Sequence, residues 1–194
     1  NDVIETIATL PAPPVLIGHS MGGFVVQKYL EKNVAPAAVL MCSVPPQGLA
    51  ASAFGMLFNQ PGLFADLNRL MTGGQVALDS LRAALFAQPV SVDDLARYYR
   101  MAQPESHRAI WDMMLFNLPH TMRVLEHLPD GRDNLLVQGA EHDMIIPASL
   151  VEMTARSYGT DATLYAGMGH GLMLEADWRR PAHDIIDWLN ARFG

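Results

Sequence analysis

Gly18-His19-Ser20-Met21-Gly22-Gly23 contains the pattern G-x-S-x-G. A serine hydroxyl is a weak nucleophile until position and a neighbouring base activate it. An apolar run, Val15-Leu16-Ile17, stands before this segment. A helical pattern follows from Met21 to about Glu31, with Phe24, Val25 and Tyr29 at helical spacing. Turning from strand to helix within so few residues forces the serine into a strained backbone conformation and projects its oxygen beyond the strand's C-terminal end. Gly18 and Gly22, two residues either side, are expected to spare the turn two colliding side chains. The helix start offers free N–H groups and a positive dipole end to a developing oxyanion. With eight serines and 15 glycines, chance supplies about 0.05 bare matches, and the strand-to-helix context lowers that further. The competing reading, a phosphate-binding turn, lacks both G-x-x-x-x-G-K-[ST] and G-x-G-x-x-G.

A serine nucleophile needs a base, and the base needs an orienting acid. Of seven histidines, His19 adjoins the serine, but the turn is expected to fix it pointing elsewhere. His107, His120, His127 and His183 read as surface or packing residues. His170 differs: it sits in Gly167-Met168-Gly169-His170-Gly171, directly after the apolar run Ala162–Tyr165. Three glycines in five residues let such a loop carry an imidazole inward. The acid is expected at another strand's C-terminal end, where Gly139-Ala140-Glu141-His142-Asp143 follows Leu135-Leu136-Val137. Asp143 is the candidate and Glu141 its competitor. Asp133 lies before the strand, and Ser43-Val44-Pro45-Pro46-Gln47 holds no carboxylate. Glu141-His142-Asp143 is a poor metal site, since three adjacent residues converge on one ion only with distortion, and no H-E-x-x-H occurs.

The elements that must position these residues are apolar strands alternating with helices. Val15–Ile17, Ala37–Cys42, Leu135–Val137 and Ala162–Tyr165 read as strands. Met21 to about Glu31, Ala148–Tyr158 and Trp178–Phe193 read as helices, the last with Asp177 as N-cap. This alternation predicts an α/β fold with a parallel sheet covered on both faces. The pattern Val3, Ile4, Ile7, Leu10 reads as the end of an amphipathic helix, so the chain, opening on Asn1, reads as starting inside a fold.

Residues 46–133 show no strand pattern. They read as short helices separated by Pro61, Gly73-Gly74, Pro89, Pro104 and Pro119, and hold five of the seven Phe and six of the twelve Met. This insert is either a helical subdomain with its own core or a lid whose Met and Phe line an apolar cavity. The core then comprises residues 1–45 and 134–194.

Composition bounds the function. The 194 residues suffice for one domain with a core, half of them apolar. The formal charge of −7 argues against nucleic acid or anionic lipid as partner. No apolar run is long enough to span a bilayer. One cysteine, Cys42, excludes an internal disulfide framework and a thiolate metal cluster, and fits a reducing, cytoplasmic compartment.

The order Ser20, Asp143, His170, each after a parallel strand, resembles the α/β-hydrolase superfamily. The resemblance rests on GHSMGG, GAEHDMIIP and GMGHGLMLEADW, which frame nearly the whole chain. It implies a mostly parallel sheet with a helical cap between the family's sixth and seventh strands, and a triad of Ser20, Asp143 and His170. Met21 N–H would be one oxyanion donor. No cofactor is implied. Matched to the family, Val15–Ile17 corresponds to strand five, so the early strands and the second oxyanion donor are expected to be missing. The implied activity is hydrolysis of a small or medium hydrophobic carboxylic ester through an acyl-enzyme. Alternatives are a C–C bond hydrolase or cofactor-free perhydrolase on the same triad, or a non-catalytic ligand-binding module of the same fold.

Overall fold

A computed structural model describes residues 2–103 and 105–194, with the backbone only at 51, 55 and 115. The expected breaker Pro104 and the opening Asn1 lie outside the described residues. Four strands, β1 (Leu16–His19), β2 (Ala38–Met41), β3 (Leu135–Ala140) and β4 (Ala162–Tyr165), form one sheet in the order β1-β2-β3-β4, all parallel. The four expected strands are present. β1 and β3 run two and three residues further than their apolar runs: Gly18 and His19 pair with Leu40 and Met41, and Gln138 and Gly139 with Thr163 and Leu164. Every residue of β2 is buried, as an inner parallel strand requires. β1 pairs on one side only, and Ile17 within it is 53% exposed.

Helices α1 (Asp2–Ala8) and α2 (Met21–Leu30) flank β1. α3 (Ala50–Asn59), α4 (Pro61–Met71), α5 (Leu78–Leu85), α6 (Val92–Met101), α7 (His107–Trp111) and α8 (Thr121–Glu126) lie between β2 and β3, with a π-helical turn at Asp112–Phe116. Their starts follow from sequence: Pro61 occupies the first turn of α4, and the Ser91 hydroxyl accepts the Asp94 amide at 3.0 Å to cap α6. α9 (Ala148–Tyr158) ends on Gly159 at φ 69°, the left-handed geometry in which glycine is unstrained. α10 (Arg179–Phe193) starts at Trp178 rather than on an Asp177 cap: the Asp177 carboxylate instead accepts the Gln88 side chain at 2.9 Å. Among the described residues no helix is long and apolar enough to cross a membrane.

The sheet is covered on both faces. One apolar cluster joins Phe24, Leu30, Val124, Val151 and Tyr158 to Leu40 and Val137. The other sets Ile185, with Trp188 and Leu189, against Val39, Met41 and Tyr165. Val124 and Leu128 in the first cluster draw α8 onto α2, where the buried Glu31 carboxylate accepts the His120 amide at 2.9 Å. The last part of the 46–133 stretch thus packs in the layer over the sheet. A third cluster, Leu81, Phe86 and Leu95 with Leu174 against them, belongs to α5 and α6.

Candidate active site

β1 delivers its chain to Ser20 at φ 54° and ψ −121°, a conformation costing roughly 1–3 kcal/mol for a residue with a Cβ. Backbone bonds hold it there. Ser20 N–H donates to Met41 O at 3.0 Å, and Ser20 O accepts the amides of Gly23 and Val44, each at 3.1 Å. Behind the turn, the buried Gln27 amide donates to Val44 O at 2.9 Å and Ser43 Oγ at 3.1 Å, and its oxygen accepts the Tyr158 hydroxyl at 2.8 Å. Gly18 fills the role expected of it: a Cβ there would meet Gly22 O at 2.5 Å. Gly22 does not, because its Cβ position faces open space. The close approach belongs to Gly23, whose Cβ would run into the Ser43 side chain. Gly22→Ala should therefore leave stability equal or raise it by up to about 1 kcal/mol through helix propensity. Gly18→Ala and Gly23→Ala should each cost about 1–3 kcal/mol by urea unfolding.

The other two residues arrive as a pair. His170 Nδ1 and Asp143 Oδ2 are 2.8 Å apart, with side chains 3% and 0% exposed. The second carboxylate oxygen, Oδ1, accepts the Ile145 amide at 2.8 Å and the Ile146 amide at 2.7 Å, which locks the carboxylate's orientation. The loops after β3 and β4 are tied to each other, His142 N–H donating to Met168 O at 2.9 Å. The exposed Glu141 is turned to other work: it accepts the Gly167 amide at 2.9 Å. Among the described residues the Ser20 hydroxyl makes no hydrogen bond, the one to His170 included; such bonds often close only around a substrate. Met21 opens α2, so its N–H has no carbonyl partner within the helix.

Two neighbours were not anticipated from sequence. His19, expected to point away from Ser20, lies against His170: its Nε2 stands 2.8 Å from His170 O, and the two rings are 4.6 Å apart, tilted by 53°. Burial, reinforced by the adjacent His170, pushes its pKa down to about 4, so it is neutral at ordinary pH. Cys42, at φ 42° after β2, is buried, and burial with the Asp143 charge beside it pushes its thiol far up. The signal for Cys42 was its place at the same sheet edge as Ser20. His19, Cys42 and His170 offer metal-binding atoms within 4.8 Å of one another. Within this cluster His170 Nδ1 faces Asp143 and His19 Nε2 faces the His170 carbonyl.

A cavity of about 110 Å³ opens among α3, α4, α7 and the π-helical turn. Leu49, Met56, Leu67, Met71 and Met113 line it. None of Ser20, Asp143 and His170 does, but Ile145, whose amide holds Asp143, forms part of its wall.

Comparison with known proteins places the fold. The fold is similar to that of an esterase from Exiguobacterium antarcticum, at 16% identity and a TM-score of 0.62, covering 97% of this chain and 71% of that one. It is similar to polyneuridine aldehyde esterase, at 19% identity and a TM-score of 0.62, covering 95% and 76%. A serine hydrolase involved in carbazole degradation matches at 17% identity and a TM-score of 0.65, covering 98% and 69%. A comparison with curated proteins finds no match. The sequence model of the alpha/beta hydrolase family matches residues 1–187, so the chain belongs to that family and is a hydrolase.

Proposed function

We propose that this chain is a serine hydrolase that cleaves small or medium hydrophobic carboxylic esters through Ser20, His170 and Asp143. The observation that carries the reading is the buried Asp143–His170 pair at the sheet edge where Ser20 stands strained. His170 takes the Ser20 proton as the serine attacks the ester carbonyl. Asp143 keeps the imidazole proton on Nδ1 and stabilises the imidazolium. The Met21 N–H binds the oxyanion, His170 returns the proton to the leaving alkoxide, and water repeats the cycle on the acyl-enzyme. Residues 46–133 act as a cap. Its Met- and Leu-lined cavity favours an uncharged acyl group, since a buried charge without a partner is costly.

A fluorophosphonate probe followed by peptide mass spectrometry, with p-nitrophenyl esters of graded acyl length, tests this. The adduct is expected on Ser20, and turnover should peak at short or medium acyl chains. A label on another serine, or none, overturns the reading.

A further inference from the structure

We propose that Glu175 is a positioning residue that fixes the loop carrying His170 to the helical insert, an inference that rests on His170 being the base. Glu175 is 1% exposed. A carboxylate that deep is tolerated only when its oxygens are satisfied. Among the described residues it has no ion-pair partner, and it is served by backbone amides instead. Oε1 accepts Ala87 N–H at 2.8 Å and Gly169 N–H at 2.8 Å, and Oε2 accepts Gln88 N–H at 3.1 Å. These donors come from two segments far apart in sequence. Ala87 and Gln88 connect α5 to α6 within the insert, and Gly169 immediately precedes His170.

The two segments touch closely enough to exclude side chains. A Cβ on Gly169 would meet Ala87 N at 2.8 Å and Leu85 O at 3.0 Å. Gly171 N–H donates to Leu85 O at 2.7 Å on the other side of His170. Two further bonds join Gln88 to Asp177: its oxygen accepts the Asp177 amide at 3.0 Å, and its nitrogen donates to the Asp177 carboxylate. Leu174, next to Glu175, packs into the apolar cluster of α5 and α6. Residues 85–88 and 169–171 are therefore one mechanical unit. Glu175 is its centre, because one side chain holds both halves. The base keeps its place relative to Ser20 only while the insert keeps its own.

Glu175→Gln and Glu175→Leu in the full chain test this, with kcat expressed per site titrated by fluorophosphonate. Glutamine keeps an oxygen for Ala87 and Gly169 but presents an N–H₂ group to the Gln88 amide. It should lower kcat about tenfold, and leucine about 10²-fold, with KM unchanged within about twofold. Amide hydrogen exchange should quicken in residues 85–88 and 169–171 together while β3 stays protected. Gly169→Ala, whose Cβ would crowd Ala87 N, Leu85 O and Glu175 Oε1, parts the same segments while keeping the carboxylate itself, and should lower kcat in the same way. Wild-type kcat per titrated site in Glu175→Leu overturns the proposal, whatever the loss in Tm, as does faster exchange in only one segment. A wild-type protein that turns over no ester and labels no serine would sink the proposed function, while the exchange pattern still decides the tie.

Discussion

Ser20→Ala should lower kcat by about 10⁴–10⁶-fold while leaving Tm close to that of the wild type. The two halves of that expectation have separate physical causes. Everything that holds residue 20 in place is backbone: its N–H on Met41 O, and its carbonyl under the amides of Gly23 and Val44. Alanine keeps all three and bears the same left-handed strain, since it too has a Cβ. The hydroxyl makes no hydrogen bond among the described residues, so its removal strands no partner. What disappears is the oxygen that forms the acyl-enzyme in the proposed mechanism. Any residual rate comes from substrate binding and from the Met21 N–H at the start of α2. Stopped-assay kinetics on a p-nitrophenyl ester, with thermal unfolding alongside, separates these effects. An active Ser20→Ala protein would remove the nucleophile assignment.

The sheet was legible because parallel strands buried on both faces leave continuous apolar runs, as in Ala38–Met41 and Leu135–Val137. The shared sheet edge of Ser20, Asp143 and His170 was legible because each follows one of the four strands, and parallel strands bring their C-terminal ends to one edge. Side-chain direction was harder to read. His19 was expected to point away, and only the three-dimensional path of the 167–171 loop brings the His170 carbonyl to its ring. Gly22 and Gly23 are indistinguishable in a sequence. Which one approaches a neighbour depends on where β2 sends Ser43. Glu175 stands among Leu172, Met173, Leu174 and Ala176, but nothing local shows what would satisfy its carboxylate, because its partners lie at 87, 88 and 169. A carboxylate reads as surface until long-range packing buries it.

Asp143→Asn should cost about 10³–10⁴-fold in kcat, and Glu141→Gln no more than about threefold. Both carboxylates stand in the loop after β3, so sequence left them as rivals. Their hydrogen bonds separate them. Asp143 divides its oxygens, Oδ1 under the Ile145 and Ile146 amides and Oδ2 on His170 Nδ1. In Asp143→Asn the remaining oxygen stays under the two amides, because the nitrogen cannot accept them. The carboxamide N–H₂ group is then directed at His170 Nδ1, which must become an acceptor. The imidazole proton moves to Nε2, the nitrogen that has to take the Ser20 proton, and the base is disabled with its geometry intact. Glu141 is exposed and accepts the Gly167 amide, a bond that the carbonyl of glutamine also makes. If Glu141→Gln instead produced the large loss and Asp143→Asn the small one, the orienting acid would be Glu141, and the buried Asp143–His170 pair would be structural.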